Sequence, residues 1–395
     1  MRQAGSGDPA GGPLLSQAGR ELLERLTGEE ASADRALALS ASLRQEYPAE
    51  LVAAALTQHA LRASARAKFS RADDMLFTRA GLEQASSELT AGHAAVRFAG
   101  SRLVADLCCG IGGNLAALAE AQNRHVVGID SDRASLEFAR HNVAVCAPDT
   151  RAGFVLADVT QFPLRGVDAV FIDPARRDDR GRLPAGQYRP PLSWCLRLTE
   201  AVERVCIKAA PGLRREMVPV GWESEFVAVG RELKEALLWS PGLATDGASR
   251  ATVLPSGDTL GSAAADPAPL AGPGAYLLDP SPAVTRAGLV ADLAELTGAW
   301  QIDPLIAFLS SDVPVHTPFA RTLRVLESAP WHERKFARRL RELGIGSADI
   351  RRRGLAGDVA QILHRLGLQG PGAATIVLTR AAGRPWGLIC QPLTD

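Results

Sequence analysis

Four aspartates in the middle of the chain stand at the ends of short apolar runs: Asp106 behind Leu103-Val104-Ala105, Asp130 behind residues 125–129, Asp158 behind 154–157 and Asp173 behind 167–172. The first leads straight into glycines, Asp106-Leu107-Cys108-Cys109-Gly110-Ile111-Gly112-Gly113-Asn114, and a helical segment follows over 115–121. Glycine at such a turn lets a ligand approach the backbone, permits positive φ, and leaves the first N–H groups of the helix free to donate. A dinucleotide would ask for G-x-G-x-x-G, so that its pyrophosphate meets a helix N-terminus. Here Leu115 stands three residues past Gly112, and Asp106 sets a negative charge before the loop, wrong for a phosphate and right for an amino group. Asp130, 18 residues past Gly112, can take both hydroxyls of a ribose. Asp158 can accept from an adenine amine, and Asp173 faces whatever sits at the mouth of the sheet. The set favours S-adenosylmethionine over a nicotinamide dinucleotide.

What must position these residues is a parallel sheet. From Leu103 to Val205-Cys206-Ile207-Lys208, short apolar runs ending in acid or glycine alternate with helical segments, the pattern of βαβ units whose ligands lie at the carboxyl ends of the strands. The fold class is therefore α/β over residues 96–254, with further strand-like pieces at 225–229 and 251–254. Residues 14–95 carry apolar side chains at three- and four-residue spacing and predict a helical domain. Residues 255–274, rich in Gly, Ala, Pro and Asp without periodicity, predict a linker. Residues 275–395 begin afresh as a small α+β domain. The start, 1–13, is Gly/Pro/Ser-rich without an apolar segment, which predicts a disordered end and not a signal peptide.

Composition narrows the classes. The chain has 395 residues, 46% hydrophobic and 22% charged, so it can build more than one core and is not wholly disordered. Its 44 basic and 44 acidic residues cancel, so no global field attracts nucleic acid and any such contact must be local. The six cysteines include no CxxC pair and no neighbouring histidine cluster, which predicts neither a metal site nor disulfides and fits a reducing cytosol. No run of eighteen apolar residues occurs; the expectation is a cytoplasmic protein with no membrane partner.

The segment 103–174 resembles the class I S-adenosylmethionine-dependent methyltransferases. Its loop Cys109-Gly110-Ile111-Gly112-Gly113-Asn114 is similar to that of the trimethylguanosine synthase relatives, as is Met75-Leu76-Phe77-Thr78-Arg79-Ala80-Gly81-Leu82-Glu83-Gln84-Ala85-Ser86 before the core. Over roughly 60–395 the chain looks closer still to a bacterial methyltransferase family with a C-terminal THUMP-like domain. That likeness rests on Ala67-Lys68-Phe69, residues 75–86, Asp173-Pro174-Ala175-Arg176-Arg177, Lys234-Glu235-Ala236-Leu237-Leu238-Trp239 and Arg286-Ala287-Gly288-Leu289. The resemblance implies a Rossmann-like core between an N-terminal helical domain and an α+β THUMP-like domain. It implies that Asp106, Gly110 and Gly112, with Cys108 beside them, hold the methionine part of the cofactor. Asp130 would hold the ribose and Asp158 the adenine, while Gly113 and Asn114 line the turn into the helix. Since THUMP domains bind tRNA in the enzymes they accompany, it also implies an RNA partner, tRNA first.

Asp173-Pro174-Ala175-Arg176 occupies the position where nucleic-acid amine methyltransferases carry Asn/Asp-Pro-Pro-aromatic. There the acidic or amide oxygen aligns the target amine for in-line displacement, catalysis mostly by positioning. Here Ala175 replaces the second proline and Arg176 the aromatic, although an arginine plane also stacks on a base. Uracil five-position methyltransferases carry a similar Asp-Pro-Pro-Arg but need a nucleophilic cysteine on the fifth strand; Cys206 is on that strand and reads as interior. Arg176, Arg177 and Lys208 would meet phosphate at the rim. Between Arg321 and Arg353 stand ten Arg/Lys against four Asp/Glu, a second local basic patch. The expected function is methyl transfer to a nucleobase amine of structured RNA, with Asp173, Pro174 and Arg176 as the catalytic set. A small-molecule or protein acceptor, and a non-catalytic RNA-binding protein with a retained cofactor fold, stay open as alternatives.

Overall fold

The computed structural model describes residues 12–393 apart from 122–123, 176, 179–180, 183–186, 246 and 264. The chain divides into two compact units, Met1–Trp222 with Leu237–Ala244, and Glu223–Ala236 with Thr245–Asp395. Of the stretch expected to be disordered at the start, Gly12 and Pro13 belong to the short helix Gly12–Leu15, and 1–11 lie outside the described residues.

The first unit opens with helices α1 (Gln17–Leu26), α2 (Ala33–Leu43) and α3 (Ala49–Ala65). Ser16 and Ser32 start α1 and α2 by accepting from the Gly19 and Arg35 N–H groups, which satisfies donors that the first turn leaves unpaired. Leu22, Leu23 and Leu26 of α1 and Leu51, Val52, Ala55 and Leu61 of α3 are buried in one cluster with Phe69, Met75, Leu76, Phe77 and Leu82. Ile111 and Phe138 join that same cluster, so the helical layer shares a core with the glycine-rich loop. Two short helices, α4 (Arg79–Gln84) and α5 (Glu88–Val96), complete the layer.

Five parallel strands follow. They are β1 (Leu103–Leu107), β2 (His125–Asp130), β3 (Arg151–Leu156), β4 (Ala169–Ile172) and β5 (Arg204–Ala209), with α6 (Gly113–Ala119) after β1 and α7 (Arg133–Cys146) after β2. β1 pairs with β2 on one side and β4 on the other, β2 with β3, and β4 with β5. Chain order therefore reverses direction at β1, and a crevice opens outside the carboxyl ends of β1 and β4. β4 is buried along its whole length, as a strand covered on both faces must be. Behind it Phe98 meets Phe171 edge-on at 6.3 Å between centroids and Trp239 at 6.1 Å, while Arg97 lies 4.5 Å over the Trp239 ring.

In the second unit β6 (Glu223–Val229) precedes β7 (Glu232–Trp239), of which only the first part belongs to this unit. β6 pairs in parallel with β8 (Ser249–Leu254), and β8 turns back antiparallel into β9 (Asp258–Gly261). β9 lies inside the stretch expected to be a linker. A four-residue edge strand has one buried side chain, Leu260, and so shows no period in the sequence. After β9 the next strand is β10 (Tyr276–Pro280), followed by α8 (Pro282–Ala287) and α9 (Val290–Thr297), the two helices parted at Gly288, φ +66°. Then follow β11 (Trp300–Gln301), β12 (Leu309–Ser311), β13 (Ala320–Pro330), α10 (Glu333–Glu342), β14 (Ile345–Arg352), α11 (Val359–Leu366), β15 (Gly372–Ala381) and β16 (Arg384–Pro392). They form one sheet ordered β11-β12-β10-β13-β16-β15-β14. Successive residues of β15 serve its two faces: Ile376 packs with Phe336, Leu340 and Ile362 of α10 and α11, and Val377 with Leu277, Phe308 and Leu388.

Gly128 in β2 shows how closely the α6 layer rides on the sheet. A Cβ there would come 2.5 Å from Leu115 Cδ2 and 3.0 Å from Cys109 Sγ, whereas one at Gly153 of β3 would sit 3.5 Å from Val127 Cγ2. Gly128→Ala is therefore expected to cost about 1–3 kcal/mol, or about 2–4 °C in Tm per kcal/mol. Gly153→Ala should leave Tm unchanged or higher. Thermal unfolding followed by circular dichroism reads both.

Candidate active site

Asp106, the penultimate residue of β1, is 1% exposed, and among the described residues neither carboxylate oxygen has a hydrogen-bond partner. Burial, then the charges of Asp173 and Asp130, hold its carboxyl well above the usual carboxylate range; Lys208 opposes them. Asp130 ends β2 and takes the Gly110 N–H on Oδ2 (2.8 Å) and the Asp132 N–H on Oδ1 (2.9 Å). Burial raises its pKa and those N–H groups lower it, with burial prevailing. Asp173 follows β4 directly, its own N–H on the Leu107 carbonyl at 3.3 Å. Its Oδ2 accepts from Lys208 Nζ at 2.6 Å. Parallel strands thus carry three carboxylates to one edge against one ammonium.

Lys208, expected beside Arg176 and Arg177 at a phosphate, has its ammonium on Asp173 instead. It sits on β5 with its side chain 7% exposed and is spent inside the site. Arg176 lies outside the described residues. Arg177 lies on the two-residue strand Arg177–Asp178 paired with Gly181–Arg182. Between Asp173 and that strand, after Pro174, Ala175 exchanges two backbone bonds with Arg189, at 2.8 and 2.9 Å. Tyr188, next to that bridge, is 6% exposed and accepts the Ala210 N–H at 3.0 Å, an aromatic brought to the strand end from a distance that motif spacing does not reveal. Asp158 follows β3. Two residues beyond β3 it caps the turn Val159–Gln161, exposed, with Oδ1 on Thr160 N (2.9 Å) and Oγ1 (2.7 Å), which lower its pKa.

The loop itself is shaped from behind. The N–H groups of Cys108 and Cys109 both donate to the Ile129 carbonyl (2.9 and 3.2 Å), and Gly112 N–H to the Cys109 carbonyl (2.9 Å). Cys108 holds φ +62°, a region that glycine takes freely and most residues avoid. Gly112 has φ +83°, and a Cβ there would meet Ala139 at 3.0 Å. Gly110, φ +53°, faces open space, where a ligand can reach the backbone. Gly113 opens α6 against the Phe69 ring, and Asn114 beside it is half-buried. Burial, then the neighbouring carboxylates, keep both loop cysteines as thiols. Cys206 is wholly buried within β5. A cavity of about 640 Å³ bordered by Arg124, His125 and Arg151 opens at the other end of the same strands and contains none of these residues.

A methyltransferase domain family matches residues 104–177, a THUMP domain-like family 320–392, and a family described as a domain of unknown function 12–65. An uncharacterized S-adenosylmethionine-dependent methyltransferase of Mycobacterium tuberculosis, from strains CDC 1551 and H37Rv, is 39% identical over 311 residues, 77% of this chain and 84% of the relative. The chain belongs to the S-adenosylmethionine-dependent methyltransferases. The methyltransferase also shares its fold with a crystal structure of a candidate methyltransferase from Porphyromonas gingivalis W83, with a TM-score of 0.76 at 20% identity, over 95% of this chain and 99% of that one. The residues present suit the cofactor: the two unpartnered oxygens of buried Asp106 fit an ammonium, Gly110 leaves room at the backbone, and each Asp130 oxygen keeps a lone pair for a ribose hydroxyl. Bound there, S-adenosylmethionine supplies an electrophilic methyl group on a sulfonium.

Asp106 gives this methyltransferase a pH signature. Its folded pKa lies above the unfolded value, so its contribution to stability is full below the unfolded pKa and is lost as pH rises through the folded one. Asn at this position carries no proton equilibrium. Asp106→Asn should match or exceed the wild-type Tm at neutral and alkaline pH without cofactor. The same variant should bind S-adenosylmethionine about 10–100-fold more weakly, the worth of a charge-assisted hydrogen bond, as read by calorimetry.

Proposed function

We propose that this methyltransferase methylates the exocyclic amine of a nucleobase in structured RNA, tRNA first. The observation that carries the reading is Asp173 at the carboxyl end of β4. One oxygen is fixed by Lys208, and the other, without a partner among the described residues, is left at the crevice beside Asp106. In that position Oδ1 accepts an N–H of the target amine, turns the nitrogen lone pair towards the methyl group, and stabilises the positive charge that grows on nitrogen. The bond from Lys208 holds the Asp173 carboxylate in one orientation for that role. Arg176 and Arg177, which follow on the same arm, would take the neighbouring phosphate or stack on the base.

The choice of RNA is supported by the second unit. Each acid on and beside α10 is taken by an arginine: Glu333 by Arg365 (3.0 Å), Glu342 by Arg339 (3.1 Å) and Glu327 by Arg339 (2.9 Å). Of the run 351–353, Arg351 pairs with Asp349 at 2.9 Å, Arg352 with the Gly357 carbonyl, and Arg353 with buried Asp279 at 2.9 Å while lying over Phe308. Arg324, Arg334, Lys335 and Arg341 are exposed and, among the described residues, have no ion-pair partner. Their uncancelled charge, within the THUMP-like stretch, suits a phosphate backbone.

Protein incubated with labelled S-adenosylmethionine and total RNA from a strain lacking the gene should label tRNA-sized material that ribonuclease destroys. Asp173→Ala should lower kcat about 10²-fold or more through lost alignment, with Asp173→Asn between it and wild type. Label in protein or small molecules, with none in RNA, would overturn the RNA reading.

A further inference from the structure

Leu76 and Phe77 form an extended link whose four backbone polar groups are all held by buried side-chain amides. Gln58 of α3, 3% exposed, accepts the Phe77 N–H at 3.0 Å and donates to the Phe77 carbonyl. Asn142 of α7, wholly buried, accepts the Leu76 N–H at 2.8 Å and donates to the Leu76 carbonyl at 2.9 Å. The Asn142 amide nitrogen also donates to the Ile111 carbonyl at 2.9 Å, in the loop between Gly110 and Gly112. A buried amide is tolerated only when its groups are bonded, and these two are bonded to backbone alone.

The side chains follow the same line. Ile111 is packed with Met75, Leu76, Phe77 and Leu82, and Gly81 of α4 has no room for a Cβ, which would fall 2.5 Å from Ile111 Cγ2. The bond from Asn142 sets the plane of the Ile111–Gly112 peptide. Gly112 follows that peptide at φ +83°, and just before it the Gly110 N–H meets Asp130 at 2.8 Å.

We propose that Asn142 is a positioning residue for the cofactor loop, and that through it Gln58 and the 76–77 link set the affinity for S-adenosylmethionine. The helical layer is then a working part of the cofactor site, although Gln58 is two links removed from the loop. The inference rests on the cofactor site and is independent of the acceptor.

The full-length protein and three variants separate coupling from simple support. Gln58→Glu keeps the acceptor for Phe77 N–H but faces the Phe77 carbonyl with an oxygen. Asn142→Ala removes the hub. Leu51→Ala, a truncation in the first turn of α3, weakens the same layer and removes none of the hydrogen bonds of the link. Calorimetric Kd values for S-adenosylmethionine and S-adenosylhomocysteine, taken well below the lowest Tm, are compared with amide exchange of residues 108–113. Gln58→Glu should weaken both ligands about two- to thirtyfold, the range for couplings carried by a packed network, and speed exchange of the loop. Asn142→Ala should do more, and the double variant no more than Asn142→Ala alone, as for members of one chain. Leu51→Ala should lower Tm and leave both readouts at wild type. If Gln58→Glu does not fold, Gln58→Met is read the same way. Unchanged Kd and loop exchange in the Gln58 variant, or equal effects from Leu51→Ala, would overturn the proposal.

Discussion

Three carboxylates converge on the ends of adjacent parallel strands with one buried ammonium, on the neighbouring strand, bonded to the nearest of them. In a low-dielectric site that charge ratio is unfavourable: burial and the neighbouring carboxylates push the Asp106 carboxyl well above its usual range, and Asp173 engages Lys208 at 2.6 Å. Excess negative charge, and carboxylate oxygens without a partner among the described residues, suit a cation. S-adenosylmethionine brings both an ammonium and a sulfonium. The stability withheld in the free protein is the kind of strain that binding sites keep and cores remove.

The surrounding elements hold these carboxylates and the loop beside them in place. The parallel sheet supplies the acids at one edge, and the loop after β1 is bonded back to Ile129 so that its turn does not depend on a ligand. Asn142 and Gln58 then tie the loop to the helical layer, and Ile111 shares that layer's core. In the second unit the acids around α10 are tied to arginines, which concentrates its free positive charge on a few exposed side chains.

The sheet and the loop were legible because their physics is local. Apolar runs of four to six residues ending in acid need a parallel strand, and glycines before a helix need a close approach of backbone to ligand. Asp158, a strand-end acid in sequence, is in space an exposed cap that accepts from Thr160, a local bond that its place after an apolar run does not foretell. Lys208 shows the limit of that logic too, since no spacing says whether a lysine at a strand end turns out to the rim or in to a carboxylate. Asn142 carries no local signal at all, being one amide on a helix; its partners at 76 and 111 lie far away along the chain. β9 was hidden for the opposite reason, a strand too short to have a period.

We propose that Asp106 exchanges its proton for the ammonium of S-adenosylmethionine when the cofactor binds. Titration calorimetry of that ligand in buffers of different ionisation enthalpy, repeated across a series of pH values, counts the protons moved on binding. Wild type should release a proton fraction that is absent from Asp106→Asn under the same conditions. Equal proton counts in the two proteins, with binding intact in both, would contradict that exchange.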